Sequence, residues 1–161
     1  MYRGKTGYFG GKQLRHGLGV MLYASGRVYE GFWFRDRRHG KGMERYKNGD
    51  VYIGEHKKGR PEGKGKRVWF KTGEAYEGEW YQGMRHGVGK WVIRHFDKTE
   101  AKETLRKQSK GQNRITISET FTGRFQNNFF EGYGIYMTKY RRAKHLRGSD
   151  LNLDIGGELQ G

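Results

Sequence analysis

A chain of 161 residues has room for one domain, but only 33% of it is hydrophobic, which argues against a thick globular core. Lys and Arg number 33 against 17 Asp and Glu, a net charge of +16 that attracts acidic partners without choosing among nucleic acid, anionic lipid and acidic protein. Cysteine is absent, which excludes disulfides and thiolate metal sites and is compatible with an intracellular location. No run approaches the roughly 18–20 apolar residues of a membrane span, and no signal-peptide core follows Met1, so the expectation is a soluble chain.

Residues 1–7 are polar and read as a lead-in. A first repeat runs from Tyr8-Phe9-Gly10 to Arg15-His16-Gly17-Leu18-Gly19, shorter than those that follow, as a modified terminal cap would be. The second is Tyr29-Glu30-Gly31-Phe32-Trp33 followed by Arg38-His39-Gly40-Lys41-Gly42, closing on the turn signal Asn48-Gly49. A third starts at Tyr52 and returns at Gly63-Lys64-Gly65. The fourth, Tyr76-Glu77-Gly78-Glu79-Trp80 with Arg85-His86-Gly87-Val88-Gly89, nearly copies the second. Gly17, Gly40, Gly63 and Gly87 are spaced 23, 23 and 24 residues apart, and such a period must be found before anything else is read.

The register breaks in a basic insertion near 94–118. Asp97 to Glu100 resembles a helix capping box there, and Glu103 with Lys107 makes a favourable i,i+4 pair for a short helix. A fifth repeat follows at Phe121-Thr122-Gly123-Arg124-Phe125 and Gly132-Tyr133-Gly134, so the array covers 8–136. Residues 137–161 form a basic extension. Lys139, Arg141, Arg142, Lys144 and Arg147 are candidates for binding an acidic partner. Leu151, Leu153 and Ile155 alternate with polar residues as in a strand and are candidates for adding to a partner's sheet edge or, equally, for beginning a further hairpin of the chain itself.

Side chains alternate faces along a strand, so Tyr29, Gly31 and Trp33 share one face, and Gly40 and Gly42 share a face on the return strand. The expectation is that each ring lies over a glycine, with rings of neighbouring hairpins stacking along the sheet. Pairs of this kind contribute about 0.5–1.5 kcal/mol each beyond burial. The opposite face carries Glu30, Phe32, Lys41, Met43, Lys64, Lys66, Glu77, Glu79 and Lys90 and reads as solvent-facing, with Glu–Lys cross-strand pairs. The fold class is therefore all-β: an elongated, single, twisted antiparallel sheet of consecutive β-hairpin repeats, about 50 Å long if each strand adds about 4.8 Å.

Tyr-x-Gly-x-Trp, Arg-His-Gly-x-Gly and Tyr-x-x-Gly at these spacings resemble the MORN repeat. The departures are Glu62 and Glu131 in place of the histidine, His56 in place of the tryptophan and Phe121 in place of the tyrosine. The resemblance implies a non-catalytic scaffold, because MORN proteins occur in cytoskeletal and ciliary assemblies, at membrane junctions and in lipid-kinase regulatory regions. It further implies a cytoplasmic, cytoskeletal location such as the ciliary axoneme and its radial spokes, with other proteins of that assembly as partners. The alternative is a peripheral membrane adaptor that binds anionic phospholipid through its basic surface.

No catalytic, cofactor-binding or metal-binding residue is expected. His16, His39 and His86 recur about 10 Å apart on the strand-spacing estimate, too far to share one ion, and read as turn-adjacent structural residues. No Gly-x-Gly continues into a dinucleotide or phosphate loop. Nucleic acid is disfavoured as a partner, because hairpin packing already accounts for the aromatic spacing.

Overall fold

In the computed structural model, residues 1–96, 115–142 and 156–159 are described. They form eleven strands in one sheet whose spatial order is the chain order. The strands are β1 (Tyr2–Phe9), β2 (Lys12–Leu22), β3 (Val28–Phe34), β4 (Arg37–Arg45), β5 (Val51–Lys57) and β6 (Arg60–Trp69). They continue as β7 (Glu74–Tyr81), β8 (Met84–Phe96), β9 (Ile115–Gln126), β10 (Phe129–Arg142) and β11 (Gly156–Leu159). Every pairing is antiparallel and joins strands consecutive in sequence. The all-β hairpin sheet expected from the repeat is the fold.

Hairpin turns impose the register. The two-residue turns at Gly10-Gly11, Arg35-Asp36, Lys58-Gly59, Gln82-Gly83 and Asn127-Asn128 hold both residues at positive φ. That is the turn whose twist matches the strands it joins. Each turn after the first is then hydrogen-bonded to the preceding hairpin. The amides of Asp36, Gly59, Gly83 and Asn128 donate to the carbonyls of Arg15, Arg38, Pro61 and Arg85 at 2.9–3.0 Å. One hairpin thus sets the height of the next.

The two glycines of each Gly-x-Gly do different work, where the sequence reading gave both the same one. A Cβ on Gly42 would lie 2.5 Å from the Tyr29 hydroxyl, and one on Gly89 would lie 2.5 Å from Cζ of Tyr76. These second glycines are the floor beneath the rings, paired across the strand with Gly31 and Gly78. The first glycines, Gly40, Gly63 and Gly87, sit at the register shift with φ between +57° and +76°. They serve a backbone conformation that glycine adopts freely, and their side-chain neighbours are Phe32, Glu55 and Glu79 of the second face rather than the repeat tyrosines.

Three boundaries differ from the sequence expectation. Residues 2–7 belong to a full strand, and Tyr2 takes the repeat tyrosine's place in the first hairpin. Its ring covers Gly19 and its hydroxyl donates to the Lys5 carbonyl at 2.6 Å, while Tyr8 is exposed. Between its tyrosine and its first glycine the first hairpin is therefore longer than the others, not shorter: Tyr2 to Gly17 against Tyr29 to Gly40. The sheet also continues into the margins of the basic insertion, where Arg94, His95 and Phe96 pair with Ser118, Ile117 and Thr116. The expected capping box and helix fall outside the described residues. At the other end, β10 runs on to Arg142, and it is Gly156–Leu159 that pairs with Tyr136–Lys139.

Candidate functional site

With β1 to β10 nearly in register, the sheet has two faces of different composition. The packing face is a ladder of rings running across the strands. Tyr2 meets Trp33, Trp33 meets Tyr29, Tyr29 meets His56, and His56 meets Tyr52, all with centroids 5.0–5.6 Å apart and edge to face. Tyr52, Trp80, Tyr76 and Phe125 continue the ladder at 4.8–5.2 Å, and Phe121 and Phe130 complete it. Edge-to-face contact is the geometry that ring quadrupoles favour. Tyr29, Tyr52 and Tyr76 are fully buried although the sheet is a single layer.

Polar ends of the rings are satisfied locally. The hydroxyls of Tyr29, Tyr52 and Tyr76 donate to the carbonyls of Phe32, Glu55 and Glu79 at 2.8–2.9 Å. The indoles of Trp33 and Trp80 donate to the second glycine of the preceding hairpin, Gly19 at 3.2 Å and Gly65 at 2.9 Å. Burial pushes the tyrosines up: Tyr76 rises to about 12 despite the opposing Arg85 charge, and Tyr29 and Tyr52 rise further.

His56 breaks this pattern. It is 2% exposed, fills the tryptophan's place between Tyr29 and Tyr52, and neither of its nitrogens has a hydrogen-bond partner. Its Nε2 lies 3.7 Å from Oε2 of Glu44, a carboxylate that is itself 1% exposed. Arg38 and Arg27 pair with Oε1 of Glu44, the latter at 3.2 Å, and the Tyr46 hydroxyl donates to Oε2 at 3.1 Å. Burial works to raise the Glu44 carboxyl, but His56, the two guanidinium groups and Tyr46 outweigh it and hold it below the usual range.

Each Arg-His pair is split between the faces. Arg15 lies over the Trp33 ring at 4.4 Å and Arg38 over Tyr29 at 5.8 Å, both on the packing side. Arg15 also grips the next turn through Asp36: its backbone N–H at 2.8 Å, foremost, and its Nε at 2.9 Å both donate to Oδ1, and they lower the Asp36 carboxyl. Arg85 grips the fifth hairpin through the Asn128 carbonyl at 2.8 Å. The histidines point the other way: His16 and His39 flank Phe34 at 5.3 and 5.6 Å, and His86 lies against Tyr81 at 5.5 Å. Among the described residues, no three His, Asp or Glu converge as a set of metal ligands.

The second face carries more apolar side chains than Phe32 and Met43, the two that the sequence placed among its charges. At its centre Lys64 and Lys66 oppose Glu79 and Glu77, with Lys66 Nζ 3.4 Å from Glu77. Toward the N-terminal end the charges give way to exposed Leu18, Val20, Leu22, Phe32 and Phe34, which are 38–53% accessible. The sequence held a signal for this: Phe32-Trp33-Phe34 is apolar at three successive positions, so both faces of β3 must carry rings.

Lys139 is exposed on β10, paired with Ser118 on one side and Gly156 on the other, and Arg141 and Arg142 lie in register with Thr116 and Ile115. Lys144, Arg147, Leu151, Leu153 and Ile155 lie outside the described residues.

The MORN repeat family matches residues 14–26, 29–51, 52–71, 76–93 and 121–138, together more than half of the chain. β1, with Tyr2 as its tyrosine, lies outside the matched segments. No curated protein matches the chain.

Proposed function

The chain belongs to the MORN-repeat family, and on that premise we propose that it is a non-catalytic scaffold, a protein-interaction subunit of a cytoskeletal assembly such as the ciliary axoneme. The family implies a protein-interaction or membrane-associated role. The observation that favours a scaffold is the division of labour between the faces. One face consumes its rings and guanidinium groups in holding hairpins together, and the other presents unspent apolar and charged side chains on a rigid support. A surface of that kind is suited to docking. The axonemal placement rests on resemblance to the family and on nothing in the site.

Crosslinking mass spectrometry on native ciliary or cytoskeletal material tests this reading. Reproducible crosslinks from second-face lysines such as Lys41 or Lys64 to cytoskeletal proteins are expected. A native chain that runs as a free monomer with no such crosslinks overturns it.

The second reading, a peripheral membrane adaptor, is favoured by one observation: exposed cations and exposed apolar side chains share a face, and the net charge is +16. Flotation with phosphatidylserine vesicles at low and physiological salt separates the two. Binding that persists at physiological salt and needs the anionic lipid supports the adaptor, and its absence removes it.

A further inference from the structure

The scaffold reading leaves open which surface docks and what it takes. On β2 and β3 the second face offers Leu18, Val20 and Leu22 beside Val28, Phe32 and Phe34, in register as Leu18–Phe32 and Leu22–Val28. Five of the six are 38–53% accessible. Three alternate residues on a strand span roughly 13 Å, and two strands with their side chains make a floor about 10 Å wide. Those are the dimensions of two to three turns of one helix, about 5.4 Å per turn and 10–12 Å across.

Cations flank this floor on both sides. Arg3 and Lys5 stand on β1, and Lys41 and Arg45 stand on β4; all four are exposed, and none forms an ion pair among the described residues. Farther along the sheet the equivalent positions alternate Lys64 with Glu79 and Lys66 with Glu77, so charges there answer one another within the chain. Glu30 interrupts the floor, opposite Val20 and Met43, and Glu55 of β5 lies opposite Lys41, which leaves Arg3, Lys5 and Arg45 as the cations with no acid in register. A β1 rail of Arg3 and Lys5 and a β4 rail whose Arg45 faces only Val28 and Val51 in register, beside an apolar strip, select an occupant with an apolar stripe and acidic flanks. A second copy of this chain is a poor candidate, since each copy carries +16.

The geometry points to this β2–β3 strip as the docking site of an acidic amphipathic helix of a partner protein, with its apolar stripe on Leu18, Val20 and Phe32 and its carboxylates on the β1 and β4 rails.

This inference rests on the scaffold reading, and its test is kept separate. The full chain, with Leu and Val methyl groups labelled, is titrated with a synthetic helix of leucines on one face and glutamates elsewhere. The same helix with lysines for glutamates, and vesicles with and without phosphatidylserine, serve as comparisons. Saturable binding of the acidic helix is expected, with methyl shifts confined to Leu18, Val20, Leu22 and Val28. Phe32→Ser and Lys41→Glu should each weaken it by about tenfold or more, as truncation of a central anchor does, while Val88→Ser should leave it unchanged. Phe32, Lys41 and Val88 are all exposed, so a thermal melt close to the parent's certifies each variant as folded.

Shifts spread over the sheet, equal binding of the lysine helix, or indifference to Phe32→Ser and Lys41→Glu each overturn the site. Phosphatidylserine vesicles that shift the same methyls and displace the helix overturn the choice of a protein occupant. In native material, a Phe32→Ser, Lys41→Glu chain that keeps all its crosslinked neighbours refutes this surface and leaves the scaffold standing. A parent chain with no crosslinked neighbours refutes the scaffold itself.

Discussion

Phe32 and Trp33 are consecutive residues on β3, and they end in opposite environments. Trp33 is 3% exposed, donates its indole N–H to Gly19, and sits between Tyr2 and Tyr29. Phe32 is 48% exposed. The contrast extends across the sheet: one face has its rings seated over glycines and its cations laid on rings, whereas the other keeps its apolar and charged groups accessible. A single-layer sheet has no second layer to bury its rings, so side chains of the packing face must bury one another. This explains why Glu44 and His56 lie nearly as deep as the tyrosines. It also means that stability and recognition can be altered independently, one face at a time.

The largest break in that contrast should come from Trp80→Ala. It removes two edge-to-face contacts and the bond to Gly65 and is expected to cost about 4 kcal/mol, read from urea unfolding. Gly89→Val places a side chain where the Tyr76 ring lies. It should cost about 3 kcal/mol, with loss of near-ultraviolet aromatic ellipticity as the sign that the ring has left its seat. If both variants melt with the parent, the packing face is not what holds the hairpins together.

Glu44→Gln leaves Arg27 and Arg38 without a buried counter-charge and is expected to cost about 2 kcal/mol at pH 7. Because the Glu44 carboxyl is held below its ordinary value of 4.5, its contribution is present above that pH and is lost as pH falls through the folded-state value. The variant should accordingly lose part of the parent's acid sensitivity, and urea midpoints at pH 3 and pH 7 should lie closer together. Tyr76→Phe removes the bonds to the carbonyls of Glu79 and His86 and should cost about 1 kcal/mol. Here the sign is reversed. A hydroxyl raised from 10.0 to about 12 gives stability that is complete below pH 10 and lost as pH climbs toward 12, so alkaline unfolding should be shallower in the variant.

The smallest effect completes the comparison. Phe32→Ser, one residue from Trp33, should change stability by less than about 0.5 kcal/mol in the same urea assay. A loss comparable with that of Trp80→Ala would mean that the exposed face is structural too.

Much of the fold was legible because it repeats. The spacing of Tyr29, Gly42 and Trp33 against Tyr76, Gly89 and Trp80 required hairpins, and strand parity placed rings and second glycines together. The function of the first glycines was not legible. Gly40 and Gly42 have the same alternation, and only the register shift between Gly31 and Trp33 separates a bulge from a ring seat. Nor was Tyr2, since Tyr8 fits a local pattern and the choice depends on which residue meets Gly19 across the strand.

The sequence by itself determined the hairpin period, the single-sheet architecture and the ring ladder. Each of these follows from which residues recur and at what parity, and that information is local to one repeat. The tertiary structure decided what depends on neighbouring repeats. It seated His56 beside a carboxylate one hairpin away, paired Lys66 with Glu77 at the centre of the second face, and left Arg3, Lys5 and Arg45 with no acid in register. Those outcomes depend on side chains of different hairpins, such as Glu44 with His56 and Lys66 with Glu77, brought to strand-spacing distance, and only the assembled register brings them together.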